Sequence, residues 1–135
     1  MNIEIDPYLK TKTCMYVEDD MDIYSLFFPI LNKIFKKVYI AKNGAEGLDL
    51  FKQKNPDIVL SDIKMPEMNG LEMAYKIKAI DHKTPIMLIT AFTDIDFLKK
   101  ALDINIDAYV TKPLNKKKFF LKLNEIANKL KSEKK

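Results

Sequence analysis

The chain of 135 residues is long enough for one domain with a hydrophobic core that needs no disulfide bonds. Its composition, 47% hydrophobic and 31% charged, is typical of a globular protein and excludes a disordered chain. No apolar run approaches the ~20 residues of a membrane helix, and Glu4, Asp6 and Pro7 stand where a signal peptide would be apolar. One cysteine and one histidine exclude a disulfide framework and a histidine-rich metal site. We therefore expect a cytoplasmic protein that makes no membrane contact.

The net charge of +4 is unevenly distributed along the chain. Residues 112–135 hold nine lysines and two acids, while the preceding 111 residues carry a net charge of −3. All 23 basic residues are lysines, so the arginine fork that reads guanine and clamps phosphate is missing. A lysine-rich last helix is usually a solvated face near a favourable helix C-terminus. We therefore expect no direct binding of nucleic acid by this chain.

Five short runs rich in β-branched and aromatic residues predict strands. They are Thr13–Val17, Val38–Ala41, Ile58–Ser61, Ile86–Ile89 and Ala108–Thr111. Four of them are nearly continuous apolar runs, which indicates a parallel sheet covered by helices on both faces.

Amphipathic stretches follow each strand and predict five helices. Their apolar positions are Ile23, Leu26, Phe27, Ile30, Leu31 and Ile34; Ala45, Leu48 and Phe51; Leu71, Ala74 and Tyr75; Ile95, Leu98, Ala101 and Leu102; and Phe119, Leu123, Ile126, Ala127 and Leu130. The β-α alternation predicts one doubly wound α/β domain with right-handed crossovers. We assign residues 12–131 to this domain, residues 1–11 to an N-terminal extension and residues 132–135 to a short basic tail.

Chemically active side chains follow several of the predicted strands, at the sheet edge where open α/β folds bind ligands. They are Glu18, Asp19 and Asp20 after the first strand, Asp62 after the third, Thr90 after the fourth and Lys112 after the fifth. Two carboxylates ~4 Å apart repel by about 4 kcal/mol at an effective dielectric of 20, so a hard cation such as Mg²⁺ would relieve the cluster. A lysine and a hydroxyl beside that cation suit phosphoryl transfer, with an aspartate as the covalent acceptor.

Four sequence fragments carry a family resemblance. They are Tyr16-Val17-Glu18-Asp19-Asp20, the block Leu60-Ser61-Asp62-Ile63-Lys64-Met65-Pro66-Glu67-Met68-Asn69-Gly70, Ile89-Thr90-Ala91, and Tyr109-Val110-Thr111-Lys112-Pro113. With these fragments in order, the chain resembles the receiver domain of bacterial two-component response regulators, from about Lys12 to Leu130. The resemblance implies a five-stranded parallel (βα)5 sheet with the flavodoxin-like strand order 2-1-3-4-5.

The resemblance also implies a phosphorylation site with a metal ion. Asp62 looks like the phosphoacceptor. Asp19 looks like a direct Mg²⁺ ligand and Glu18 like a ligand through water, with the backbone carbonyl of Lys64 completing the protein ligands. Asp20 lies one place beyond the matched acidic pair and is left out of the metal site.

A switch and its partners follow from the same resemblance. Thr90 looks like the switch hydroxyl, Tyr109 like the switch aromatic, and Lys112 like the lysine of the family's phosphorylation site. A sensor histidine kinase or phosphotransfer protein would be the phosphoryl donor, and a downstream protein or output domain would read a surface of the fourth helix, fifth strand and fifth helix. The chain would then be no conventional enzyme but a phosphoacceptor that assists its own phosphotransfer and dephosphorylation. Lys64 and Phe92 occupy positions that tune the phosphoryl lifetime in this family, which leaves that lifetime open.

Simpler explanations exist for each residue taken singly. Thr90 suits a cap or turn, Tyr109 a half-buried strand, and the acids after the first strand a helix N-terminus. A phosphatase with an aspartate nucleophile would want a second acid where Lys64 stands, and a flavin-binding module would want a glycine-rich phosphate loop after the first strand. Two alternatives stay open: the receiver part of a longer regulator with a C-terminal output domain, and a docking module that works without phosphorylation.

Overall fold

A computed structural model describes residues 4–90, 96, 99–100, 103, 106–112 and 115–133. Its elements in chain order are a 3-10 helix (Pro7–Thr11), β1 (Thr13–Val17), α1 (Met21–Ile34), β2 (Lys37–Ala41), α2 (Gly44–Lys54), β3 (Ile58–Asp62), α3 (Gly70–Ile80), β4 (Ile86–Thr90), β5 (Ala108–Thr111) and a C-terminal helix (Lys116–Glu133). All five predicted strands are present, and β2, β3 and β4 are each one residue longer than predicted.

The predicted fourth helix is described only in part. Residues 96, 99, 100 and 103 are helical. The apolar positions that predicted this helix, Ile95, Leu98, Ala101 and Leu102, lie outside the described residues, as do Ala91, Phe92 and Pro113.

The five strands form one parallel sheet in the order β2-β1-β3-β4-β5, which confirms the predicted topology. From β1 the chain moves to β2 on one side of the sheet, and β3, β4 and β5 then follow on the other side of β1. The direction of strand addition therefore reverses between the neighbours β1 and β3, in which Val17 is paired to Ser61. Such a reversal leaves a crevice at the carboxyl edge of the sheet, because the connections after the two strands leave towards opposite faces.

Alternating side chains of the strands divide the core between the two faces of the sheet. Cys14 and Tyr16 pack on one face with residues of α1 and the C-terminal helix. Met15 and Val17 pack on the other face with residues of α2 and α3. Both faces are therefore covered by helices, and the doubly wound arrangement is confirmed.

Among the described residues of the predicted apolar stripes, two are exposed to solvent. Leu26 of α1 is 69% exposed and Tyr75 of α3 is 63% exposed. Each helix buries only the face that lies on the sheet, so apolar residues at the margin of the stripe reach solvent. Among the helices of the described chain, none has the length and apolar character required to cross a bilayer.

Side-chain caps start the helices close to the carboxyl edge of the sheet. Asp20 caps α1, Asn43 caps α2 and Asn69 caps α3, each accepting a hydrogen bond from a backbone N–H of the first turn. Such caps satisfy donors that a helix start leaves unpaired, and each contributes about 1 kcal/mol. The connections after β1 and β3, which carry Glu18, Asp19 and Lys64, are thus anchored where the next helix begins.

The N-terminal residues pack against the C-terminal helix. Leu9 is completely buried in the core of that face. The backbone N–H of Asp6 donates to Asn124 Oδ1 at 2.9 Å, and the Asp6 carboxylate pairs with Lys131 at 2.5 Å. The beginning and the end of the domain are therefore tied together at this helix.

Candidate functional site

Three carboxylates meet where β1 and β3 end side by side. One carboxylate oxygen from each of Glu18, Asp19 and Asp62 lies within 4.8 Å of the others. Glu18 and Asp62 are buried, with 1% and 5% of their surface exposed, whereas Asp19 is exposed. Two acids of the cluster are therefore buried, and the third is exposed to solvent.

Both oxygens of Asp62 accept hydrogen bonds. Oδ1 accepts the backbone N–H of Ile63 at 2.7 Å, and Oδ2 accepts the ammonium of Lys112 at 2.7 Å. Lys112 follows β5, so its side chain reaches past β4 to the end of β3. Burial alone would lower the pKa of Lys112, but the hydrogen bond and the charges of the three carboxylates raise it above its ordinary value. The lysine is a fixed positive charge beside Asp62.

Glu18 is the acid whose environment least favours ionisation. Burial raises its pKa to about 7; the N–H of Asp20, which donates to Oε2 at 3.2 Å, opposes this shift, and the charge of Asp62 adds to it. The other oxygen, Oε1, is buried and has no hydrogen-bond partner within the described part of the chain. This corner of the cluster therefore offers an acceptor that no group in the described ranges satisfies.

Asp20 follows the two acids of this cluster in sequence, but its side chain caps the N-terminus of α1. Its Oδ1 accepts hydrogen bonds from Asp22 N–H at 2.9 Å and Ile23 N–H at 3.3 Å. The helix-capping explanation therefore holds for Asp20, while Glu18 and Asp19 are the two acids that approach Asp62.

The remaining predicted residues surround the cluster at different depths. Thr90 ends β4 and is completely buried, and its carbonyl accepts the N–H of Lys112 at 2.7 Å. Tyr109 lies within β5 opposite Leu88 and is 48% exposed. Lys64 follows Asp62 by two residues, and its side chain is exposed. Thr90 is thus in the interior beside the site, while Tyr109 is on the surface.

Two glycines hold the loop after β3. A Cβ on Gly70 would lie 2.0 Å from the carbonyl oxygen of Asp62, and a Cβ on Gly44 would lie 2.3 Å from that of Met68. The N–H of Gly70 also donates to Ile63 O at 2.8 Å. The Asn69-Gly70 pair, a cap residue followed by glycine, was the available signal, although the close approach itself depends on packing.

The geometry agrees with the comparison with known protein families. The model of the response regulator receiver domain matches residues 14–124. The chain belongs to this family. Receiver domains act in phosphorylation-dependent signalling, and the acidic cluster of this one is able to bind a metal ion.

Curated relatives include both short and long proteins. This receiver domain is 33% identical over 105 residues to the chemotaxis protein CheY of Halobacterium salinarum, covering 78% of this chain and 88% of that protein. It is 29% identical over 101 residues to sporulation initiation phosphotransferase F of Bacillus subtilis, covering 75% of this chain and 82% of that protein. It spans only 46% of the probable C4-dicarboxylate response regulator DctR of Priestia megaterium, at 32% identity over 106 residues and 77% of this chain.

Solved structures show the same fold. A CheY-like receiver domain protein from Methanospirillum hungatei superposes with a TM-score of 0.84 at 27% identity, covering 91% of this chain and 98% of that one. The N-terminal domain of an uncharacterized protein from Wolinella succinogenes superposes with a TM-score of 0.81 at 30% identity, covering 93% of this chain and 100% of that one.

Proposed function

We propose that this receiver domain is a signalling switch in which Asp62 accepts a phosphoryl group from a sensor histidine kinase or phosphotransfer protein. The supporting observation is the position of Asp62 between a lysine ammonium at 2.7 Å and two further carboxylates. In the transfer, an Asp62 oxygen forms a P–O bond while the P–N bond to the donor's histidine breaks, and the imidazole leaves. The domain is then a phosphoacceptor that assists its own phosphotransfer and dephosphorylation.

We assign Mg²⁺ to the acidic cluster. Asp19 and Asp62 would ligate it directly, Glu18 would bind it through water, and the backbone carbonyl of Lys64 would complete the protein ligands. Hard oxygen donors fit this ion, as does Glu18 Oε1, a buried acceptor with no partner among the described residues. When bound, Mg²⁺ supplies positive charge for the phosphoryl oxygens, which is the main requirement of this chemistry.

Lys112, Thr90 and Tyr109 carry the response in this proposal. Phosphorylation adds a charge of about −1.5 to −2 where Lys112 now pairs with the Asp62 carboxylate. Lys112 then binds a phosphoryl oxygen, and the hydroxyl of Thr90, which ends the neighbouring strand, moves toward the same group. Tyr109, on the strand beyond, changes its rotamer in the space that Thr90 leaves.

We place the partner surface on β5, the C-terminal helix and the helical residues before β5. A cleft of about 430 Å³ lies between β5 and the C-terminal helix, and its lining includes Tyr109, Leu121, Lys118 and Lys122. Exposed apolar side chains flanked by lysines suit a downstream protein or output domain with an acidic, partly apolar contact. We propose no nucleic acid and no membrane as direct partners, and a cytoplasmic location where a kinase can supply the phosphoryl group.

The domain boundaries belong to the same proposal. We take residues 12–131 as the receiver unit, which includes the matched span 14–124, with 1–11 as an extension and 132–135 as a basic tail. A longer regulator with an output domain after this unit is a second candidate, supported by relatives such as DctR that are about twice as long as the matched region. A docking module without phosphorylation is the remaining alternative.

Intact mass after incubation with acetyl phosphate and Mg²⁺ tests the proposal. We expect the gain of one phosphoryl group that requires Mg²⁺ and is lost in Asp62→Asn. The matched control is Asp49→Asn, which changes an exposed aspartate of α2 and should be phosphorylated like the parent protein.

Two results would count against this function. Stable phosphorylation of Asp62→Asn would refute the acceptor assignment. Absence of both phosphorylation and Mg²⁺ binding in the parent protein would favour the docking module. For the switch, Thr90→Ala should become phosphorylated while the NMR signal of Tyr109 no longer responds; an undiminished response would remove Thr90 from the switch.

A further inference from the structure

A tyrosine side chain lies in the core directly before the acidic cluster. Tyr16 is 1% exposed, and its ring stacks on Tyr24 of α1 with the centroids 6.4 Å apart. Glu18 continues the strand beyond Tyr16, because its N–H donates to Ala41 O at 3.1 Å in the β1–β2 ladder. Residues two apart in an extended chain point to the same face of the sheet. The Tyr16 ring and the Glu18 carboxylate are therefore on one side.

One polar atom of each of these two side chains has no partner in the described part of the chain. Tyr16 Oη and Glu18 Oε1 are buried, and neither has a hydrogen-bond partner within the described residues. One is a donor and the other an acceptor. Burial raises the pKa of Tyr16, and the charges of Glu18 and Asp62 and a hydrogen bond toward Glu18 raise it further, so the hydroxyl lies next to the Glu18 carboxylate. The two oxygens approach each other without completing a hydrogen bond of full geometry.

We propose that Tyr16 is a positioning residue of the cation site, whose hydroxyl donates a hydrogen bond to Glu18 Oε1 when a divalent cation occupies the cluster. This inference rests on the cation site of the proposed function. Among the described residues the buried donor and acceptor are both unsatisfied, which is unfavourable. Pairing them on binding adds to the cation's affinity and holds the Glu18 carboxylate in a single orientation. Hydrogen-bond partners of metal-binding side chains typically change metal affinity 10–100-fold when removed.

Tyr16→Phe tests the inference because it removes one oxygen atom and keeps the stacked ring. We expect the substitution to leave the stability of the fold unchanged or higher and to lower the affinity for Mg²⁺. Without divalent cations, the melting temperature should stay the same or rise, since an unsatisfied buried hydroxyl is lost. The dissociation constant for Mg²⁺, measured by isothermal titration calorimetry with MgCl₂ alone, should increase about tenfold.

Tyr24→Phe is the matched control, since it removes the hydroxyl of the stacked neighbour. Its Mg²⁺ dissociation constant should remain within about twofold of the parent value. At saturating Mg²⁺, the maximal rate of phosphorylation of Tyr16→Phe should return close to that of the parent protein, since Tyr16 acts through Glu18 and does not touch the phosphoryl group.

The possible contradictory results are distinct. An unchanged dissociation constant in Tyr16→Phe, with normal binding by the parent protein, overturns the role of Tyr16 and leaves the proposed function standing. A lower melting temperature in the absence of cation also overturns it, because the hydroxyl would then support the fold itself. A parent protein that binds no Mg²⁺ refutes the cation site and this inference with it.

Discussion

Replacing Glu18 by glutamine should stabilise the protein when no divalent cation is present. Glu18 is buried beside Asp62 and Asp19, and one of its oxygens has no hydrogen-bond partner in the described chain. Its ionised form is therefore unfavourable in the native state. Glutamine has nearly the same shape and removes the charge, so the repulsion within the cluster decreases without creating a cavity.

The size and the pH dependence of this effect follow from the pKa. Burial is the main cause that raises the pKa of Glu18 from 4.5 to about 7. This difference between the native and the unfolded pKa means that the ionised Glu18 side chain lowers the free energy of unfolding by at most about 3 kcal/mol. Because the native state holds the proton more tightly than the unfolded state, this cost is absent below about pH 4.5. The cost grows as the pH rises from about 4.5 to about 7, and it has its full size above about pH 7.

Urea unfolding in EDTA, followed by circular dichroism at pH 5 and pH 8, measures this effect. The free energy of unfolding of Glu18→Gln should exceed that of the parent protein by up to about 3 kcal/mol at pH 8 and by much less at pH 5. Glu46→Gln, an exposed position of α2, is the control and should change stability by less than about 0.5 kcal/mol at either pH. A Glu18→Gln protein that is less stable than the parent at pH 8 would refute the reasoning. With Mg²⁺ added, the same variant should lose most of the stabilisation that the parent protein gains.

Two further substitutions test the framework around the site, both by urea unfolding. Gly70→Ala should cost about 3 kcal/mol, because its Cβ would lie 2.0 Å from the backbone oxygen of Asp62; a loss below 1 kcal/mol would mean that the loop after β3 yields easily. Asp107→Ala should cost about 3 kcal/mol at pH 7, because the buried carboxylate pairs with Lys78 at 2.8 Å and with Lys129. Burial alone would raise the pKa of Asp107, but these hydrogen bonds hold it below its usual range. The deficit of Asp107→Ala should therefore shrink in acid, and a deficit that stays constant down to pH 2 would exclude the ion pairs as its cause.

Local patterns in the sequence were sufficient for the strands and the β-α alternation, whereas the strand order came from the family resemblance. The five apolar runs predicted every strand, with end errors of one residue at Lys37, Asp62 and Thr90. Burial of a parallel sheet on both faces leaves such runs almost without polar residues, so they are visible without knowing the fold. The placement of acids, a hydroxyl and a lysine directly after successive strands was equally local, since parallel strands end at one edge.

Contacts between distant segments were decided only by the tertiary structure. The family resemblance already left Asp20 out of the metal site, and the structure adds the physical reason, because Asp20 caps α1 while Glu18 and Asp19 approach Asp62. The close approach of Gly70 to the Asp62 backbone depends on how α3 packs after β3. Tyr16 would pass for an ordinary core residue, because an unsatisfied hydroxyl is evident only once every neighbouring donor and acceptor has a position. Periodicity and strand ends are properties of the local chain, whereas electrostatics and hydrogen-bond satisfaction belong to the assembled core.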